Sequence, residues 1–362
     1  MKRRNFMRTT AAGVAAFATA TAASAQAAPH PLTLVGARPE NTTQGGAVIP
    51  AGPVTSRIAQ NPDMKYRPLG STGERVSMVG MGGFHLAKPG GATADEAVGL
   101  VHAAIEAGIT FFDNCWDYNG GESEKRLGRA LQGGYRDRVF LMTKIDGRTA
   151  KAATDQIDES LSRLKTDHLD LLQFHEIIRM GDPERVFTAG ALEAVLRARE
   201  QGKLRYVGFT GHKSPAIHAH MFAVADQHDF HFDTVQMPLN VMDAHYDSFE
   251  QHVLPIALAH GTAVLGMKTF GDDFILKSGA ASPGEMLRYA LSLPTALQVC
   301  GIDRPPILQQ ALDAVRTYAP MTPEQRAAIL AKTARVAADG STERYKVSEQ
   351  FDGTARNPHW LG

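Results

Sequence analysis

The chain has 362 residues, 43% hydrophobic and 21% charged, with 38 Lys+Arg balancing 38 Asp+Glu. This composition suits a globular protein with a substantial core, and the absence of any basic run beyond the first ten residues argues against a nucleic-acid partner. The two cysteines, Cys115 and Cys300, are too few for a disulfide framework.

Residues 1–25 begin with a basic front containing Arg3 and Arg4. A small-residue apolar run follows and ends in Ala23-Ser24-Ala25. This is the layout of an export signal with an A-x-A cleavage site, and the Arg pair followed by Phe6 resembles a twin-arginine signal peptide. It predicts passage through the twin-arginine export machinery, cleavage after Ala25 (Ala27 is the second choice) and a periplasmic or otherwise exported location. A run so rich in Ala and Thr is too weakly hydrophobic for an anchor, so no stable membrane insertion is expected. Loss of the four basic residues of the leader leaves 34 basic against 38 acidic, a net −4. Residues 26–62 are rich in Pro, Gly, Ala and Thr without a sustained period, and read as a linker or wrapping arm.

From Lys65 the texture changes. "KYRPLGSTGERVSMVGMG" predicts two short strands about the turn Gly70–Gly73. Short apolar runs then alternate with helical patterns. The runs are "VSMVGMG", "TFFDN", "VFLMTK", "LDLLQFH", "LRYVGFT", "DTVQMP", "TAVLGMK" and "TALQVCG". The helices include "TADEAVGLVHAAIEAG", "AATDQIDESLSRL" and "GALEAVLRAREQGK". Eight βα units predict an α/β fold, a (β/α)8 TIM barrel over residues 63–340 with an N-terminal β-hairpin. No G-x-G-x-x-G follows an early strand, which weighs against a Rossmann fold. "TPEQRAAILAKTARVAAD" reads as a terminal helix started by Thr322 and Pro323, and residues 341–362 as a tail wrapping the surface.

Barrels of this kind build their sites where strands end. Asp113 falls after the second strand, Tyr118 in the loop beyond it, Lys144 at the end of the third and His175 at the end of the fourth. Singly, each has an ordinary structural explanation: a helix cap, a loop aromatic, a solvated strand end, a core histidine. Jointly that explanation weakens, because Asp113 and Lys144 end apolar strands where a buried charge needs a partner.

At these residues the chain resembles the aldo-keto reductases. The resemblance spans Lys65 to Leu330 and is carried by "FFDNCWDYNGGESEKRLGRAL", "VFLMTKI", "SLSRLKTDHLDLLQFHEI" and "GKLRYVGFTGH". It implies the same barrel and an Asp-Tyr-Lys-His tetrad at Asp113, Tyr118, Lys144 and His175. The implied activity is NAD(P)-dependent hydride transfer between a nicotinamide and a small-molecule carbonyl or alcohol, such as an aldehyde, ketone or sugar. A free tyrosine titrates near 10, too high for an efficient acid at neutral pH, so Lys144 is expected to lower Tyr118 and Asp113 to fix Lys144. His175 is expected to donate to the substrate oxygen. Trp116 and Asp117 are open between loop support and pocket wall.

For the cofactor, the resemblance implies that Gln236 holds the nicotinamide amide. Thr210-Gly211 stands where the family often has Ser-Asn, with His212 next; Met267 takes the place of a stacking aromatic, beside Lys268. Gly82 and Gly83 are expected to let the backbone approach the cofactor. After the last strand, Gly301 and Ile302 replace a Lys-Ser pair and Ile307 a downstream Arg, leaving Asp303 and Arg304 as the available charges. Both charge signs being present, NAD versus NADP stays open; family habit favours NADP. His218 and His220 face different sides of a helix, so no metal site is expected. The alternative to an enzyme is a nucleotide-binding sensor or accessory subunit with little turnover. Export suggests folding around a retained nucleotide, with the arm 26–62 closing over the site.

Overall fold

In the computed structural model, residues 58–362 are described. The expected leader and the arm up to residue 57 lie outside the described residues. Strands β1 (Tyr66–Pro68) and β2 (Arg75–Ser77) form the expected antiparallel hairpin, Tyr66 opposite Ser77. Leu69 and Val76 are fully buried in one cluster with Ile58, Phe111, Phe140, Leu171 and Leu297. The hairpin therefore plugs the end of the barrel where the strands begin.

The barrel strands are β3 (Val79–Gly82), β4 (Phe111–Asp113), β5 (Phe140–Ile145), β6 (Leu169–Phe174), β7 (Leu204–Thr210), β8 (Thr234–Pro238), β9 (Ala263–Met267) and β10 (Leu297–Gly301). They close in sequence order, with β10 against β3 and parallel pairing throughout. Every residue of β5 and β6 is buried, because inner packing covers one face and helices the other. The expected helices form at Ala94–Glu106, Ala150–Leu164, Ala191–Glu200 and Pro323–Ala337. The first and last begin in capping boxes, Thr93 with Glu96 and Thr322 with Gln325.

The helix Glu122–Ala130, which follows the loop carrying Tyr118, packs closely on its neighbour. A Cβ added at Gly128 would lie 2.4 Å from Arg163 O and 2.6 Å from Leu164 C. Backbone cannot yield as a side chain does, so Gly128→Ala is expected to destabilise the protein by about 1–3 kcal/mol. Urea unfolding checks this, and an unchanged midpoint would mean that the two helices separate freely.

The tail, residues 341–362, wraps the barrel with some residues exposed and others inserted among the loops. Glu343, Tyr345 and Thr354 are fully buried, since polar groups at the strand ends bind it. The described end of the arm, residues 58–62, sits at the hairpin, where Asn61 N donates to the Tyr66 hydroxyl at 2.8 Å. Among the described residues, the segment found over the strand C-termini is the tail. No helix among the described residues is long and apolar enough to cross a membrane.

Candidate active site

Strand register brings several of the predicted residues to one rim. Gly82 pairs with Asp113 and with Gly301, and Thr210 with Gln236. Lys144, 1% exposed at its side chain, contacts the Asp113 carboxylate and donates to Asn114 O at 2.8 Å and to the Tyr118 hydroxyl at 3.3 Å. Gln236 Nε2 donates to the other Asp113 oxygen at 2.6 Å. A buried ammonium and a buried carboxylate are tolerable here because each has several partners.

The loop that delivers Tyr118 continues the ladder beyond β4. Asn114 N donates to Met142 O at 2.9 Å and Trp116 N to Lys144 O at 3.0 Å. Arg163 Nη1 donates to Trp116 O at 2.9 Å, and its guanidinium fills the space beside Gly121, where φ is +83° and a Cβ would lie 2.6 Å from Arg163 Cζ. Asn119, at φ 54°, donates to Phe84 O at 2.9 Å, while the Phe84 ring meets Tyr118 edge-on at 5.4 Å. Trp116 is a loop support: its Nε1 donates to Glu159 at 2.5 Å and its ring packs against Trp360.

The expected lowering of Tyr118 is not what the geometry produces. Burial, followed by Asp113, Cys115, Asp117 and Glu176, holds the phenol well above its ordinary value. Lys144 is close, but Asp113 in contact with it offsets its charge. Tyr118 therefore keeps its proton across the neutral range.

His175 stands 5.9 Å from Tyr118 between ring centroids. Its Nδ1 lies 3.0 Å from Asp146 Oδ1, 3.3 Å from Cys115 Sγ and 3.7 Å from Asp117 Oδ1. Burial alone would push the imidazole down, but Asp146 and then Asp117 outweigh it, and His175 is raised. Burial lifts Asp117 to about 6 against the pull of His175. The buried Arg148 braces the same loops, donating to Asp146 O at 2.7 Å and His175 O at 2.5 Å. Asp146, Arg148, Arg163 and Phe84 were not anticipated from the sequence; an Asp and an Arg just past a strand end, in "KIDGR", were the available signal.

Glu176 binds the tail, accepting from Gly353 N at 2.7 Å and Thr354 N at 2.6 Å. Asp352 meets His212 Nε2 at 3.1 Å and Lys213 Nζ at 2.8 Å, so His212 is committed to the tail. Lys268, at φ 62°, sits 4.7 Å over the Phe351 ring, and burial lowers its ammonium. Met267 ends β9 opposite Pro238. The glycines at the rim answer to packing. A Cβ at Gly83 would lie 2.7 Å from Asp113 O, and one at Gly211 2.4 Å from Ile177 O. Asp303 and Arg304 precede the helix Pro305–Arg316, with Arg304 65% exposed at its side chain. Among the described residues, the buried Gln236 Oε1 and Asn114 Nδ2, beside Asp113 and Lys144, have no hydrogen-bond partner.

Comparison with known proteins gives a match to the Aldo/keto reductase family over residues 78–298. L-galactose dehydrogenase of Arabidopsis thaliana is 36% identical over 158 residues, 41% of this chain and 49% of that protein. 6-dehydroglucose reductase of Novosphingobium aromaticivorans is 35% identical over 169 residues, 42% of this chain and 54% of that protein. The matches thus span about half the length of these curated relatives. The solved structure of an aldo-keto reductase from Bacillus halodurans in its holo form superposes with a TM-score of 0.61 at 22% identity, covering 74% of this chain and 96% of that one.

Proposed function

This chain belongs to the aldo/keto reductase family, and on that premise we propose that it is an NAD(P)-dependent oxidoreductase acting on an aldehyde, ketone or sugar. The observation that carries the proposal is the joint placement of Tyr118, the Lys144 ammonium 3.3 Å from its hydroxyl, Asp113 against that ammonium, and His175 alongside. Two relatives named for sugar chemistry support a sugar carbonyl as substrate.

The residues present fit a nicotinamide dinucleotide. A carboxamide needs one acceptor and one donor, and Gln236 Oε1 and Asn114 Nδ2 are buried and have no partner among the described residues. Arg304, exposed ahead of a helix N-terminus, supports NADP over NAD. When bound, the dinucleotide supplies or accepts the hydride. Tyr118 gives a proton to the carbonyl oxygen, and Lys144 stabilises the phenolate left behind. Asp113 holds the ammonium in register. The tail from Tyr345 to Thr354 keeps water from the strand ends, which strengthens each of these interactions. A phenol that keeps its proton favours the direction of reduction.

The test is cofactor consumption by the full chain with NADPH or NADH across a panel of aldoses, aldehydes and ketones. The expected result is turnover of a sugar aldehyde, faster with NADPH. Tight nucleotide binding with no turnover anywhere in the panel would favour an accessory or sensor role instead.

A further inference from the structure

We infer that Asp146, assisted by Asp117, is a positioning residue that keeps His175 doubly protonated, so that the ring meets the substrate oxygen as a cation. The inference rests on the carbonyl-reducing role proposed for this site.

The argument is one of proton counting. A neutral imidazole carries a single ring proton. The His175 Nδ1 faces Asp146 Oδ1 at 3.0 Å and Asp117 Oδ1 at 3.7 Å. A lone pair on that nitrogen would oppose two carboxylates, so Nδ1 holds a proton. If the ring were neutral, Nε2 would then be bare and unable to donate. Among the described residues Nε2 takes no hydrogen bond, and part of the side chain, 11%, stays accessible. Donation to a substrate oxygen through Nε2 therefore requires the imidazolium.

The neighbours support the charge. The loop after β4 presents Cys115, Asp117 and Tyr118 to the ring; the end of β5 presents Asp146, with Lys144 behind Tyr118. Arg148 meets backbone carbonyls of Asp146 and His175, not the Asp146 carboxylate. Glu176 turns its carboxylate to Gly353 and Thr354. Among the described residues, Asp146 Oδ2 and Asp117 Oδ1 have no hydrogen-bond partner. The nearest cation that answers Asp146 is His175 itself. The direction of the His175 shift, upward despite burial, agrees with this arrangement. His175 keeps both protons through the reaction; the proton transferred is that of Tyr118.

Asp146→Asn tests the inference, since Asn keeps the size and the acceptor oxygen at Nδ1 but removes the charge. The imidazolium is lost as pH rises through its raised value, so it sets an alkaline limb in kcat/KM. The limb is expected to move to lower pH by about one to three units in Asp146→Asn, with KM little changed and Asp146→Glu restoring part of the shift. A role in packing alone would leave the limb in place. Nitrogen-15 spectra of histidine-labelled full chain, with His175 assigned by its loss in His175→Asn, read the same quantity without turnover. Both His175 nitrogens are expected to be protonated at neutral pH in the native protein, and only one in Asp146→Asn. A neutral His175 in the native protein would overturn the inference even if the enzyme is active. So would a stoichiometric divalent metal in the purified protein, because a cation among Cys115, Asp117, Asp146 and His175 would replace the Nδ1 proton. Native spectra as expected, in a protein that turns nothing over, would uphold this inference while failing the proposed activity.

Discussion

Tyr118→Phe is expected to lower kcat by about 10²–10⁴-fold while leaving nucleotide affinity and folding stability nearly unchanged. The substitution removes the hydroxyl that Lys144 Nζ contacts at 3.3 Å and keeps the ring against Phe84 and His175. Lys144 retains Asp113 and Asn114 O, so no buried charge is orphaned. Burial and the neighbouring acids keep the native phenol protonated, which makes the lost group a proton donor and not a phenolate. Loss should appear equally in kcat and kcat/KM, the mark of an interaction made in the transition state. Steady-state kinetics beside nucleotide titration by fluorescence separate this from a binding defect. A variant that turns over at the native rate would remove Tyr118 from the chemistry.

Lys144→Met acts on stability as well as turnover. It leaves the Asp113 carboxylate, 4% exposed at its side chain, without its cation, and the expected loss is about 3–5 kcal/mol. Gln236 remains as a neutral donor to Asp113 and cannot substitute for the charge. The double variant Asp113→Asn/Lys144→Met removes both charges and is expected to recover most of the stability but none of the activity. Recovery of the two together would show that the pair serves folding only. Lys144→Arg is not a conservative control, because a planar fork does not fit where one ammonium meets three oxygens. Denaturant unfolding of Asp113→Asn, Lys144→Met and the double variant gives the cycle directly.

How much of this was legible in the sequence depends on whether the signal is local. The barrel was, since the strands are short apolar runs and helices such as Ala94–Glu106 and Pro323–Ala337 carry local capping residues. The hairpin was, through Gly70 and Gly73. The rim residues of the tetrad were, because charges at Asp113 and Lys144 interrupt apolar strands. The tail was not: "SEQFDGTARNPHWLG" is polar and aperiodic, and its burial comes from backbone amides of Gly353 and Thr354 meeting Glu176 about 177 residues earlier. No local pattern encodes such a pairing. The ionisation of Tyr118 is not legible for a related reason. A lysine 26 residues away in sequence suggests a lowered phenol, but burial and the neutralising effect of Asp113 are properties of the folded site. Gly83 reads in the sequence as a place for a cofactor to approach, whereas its Cβ position is taken by Asp113 and Asn114.

The measurement that bears most directly on the account is hydride transfer itself. The full chain is incubated with NADPH deuterated at the transferring carbon and a panel of sugar aldehydes and ketones, and the products are examined by mass spectrometry. The account predicts deuterium bound to the former carbonyl carbon, formed by the native protein and slowed about a hundredfold or more in Tyr118→Phe. Nucleotide bound but no deuterium in any product, or equal transfer by the variant, would contradict it.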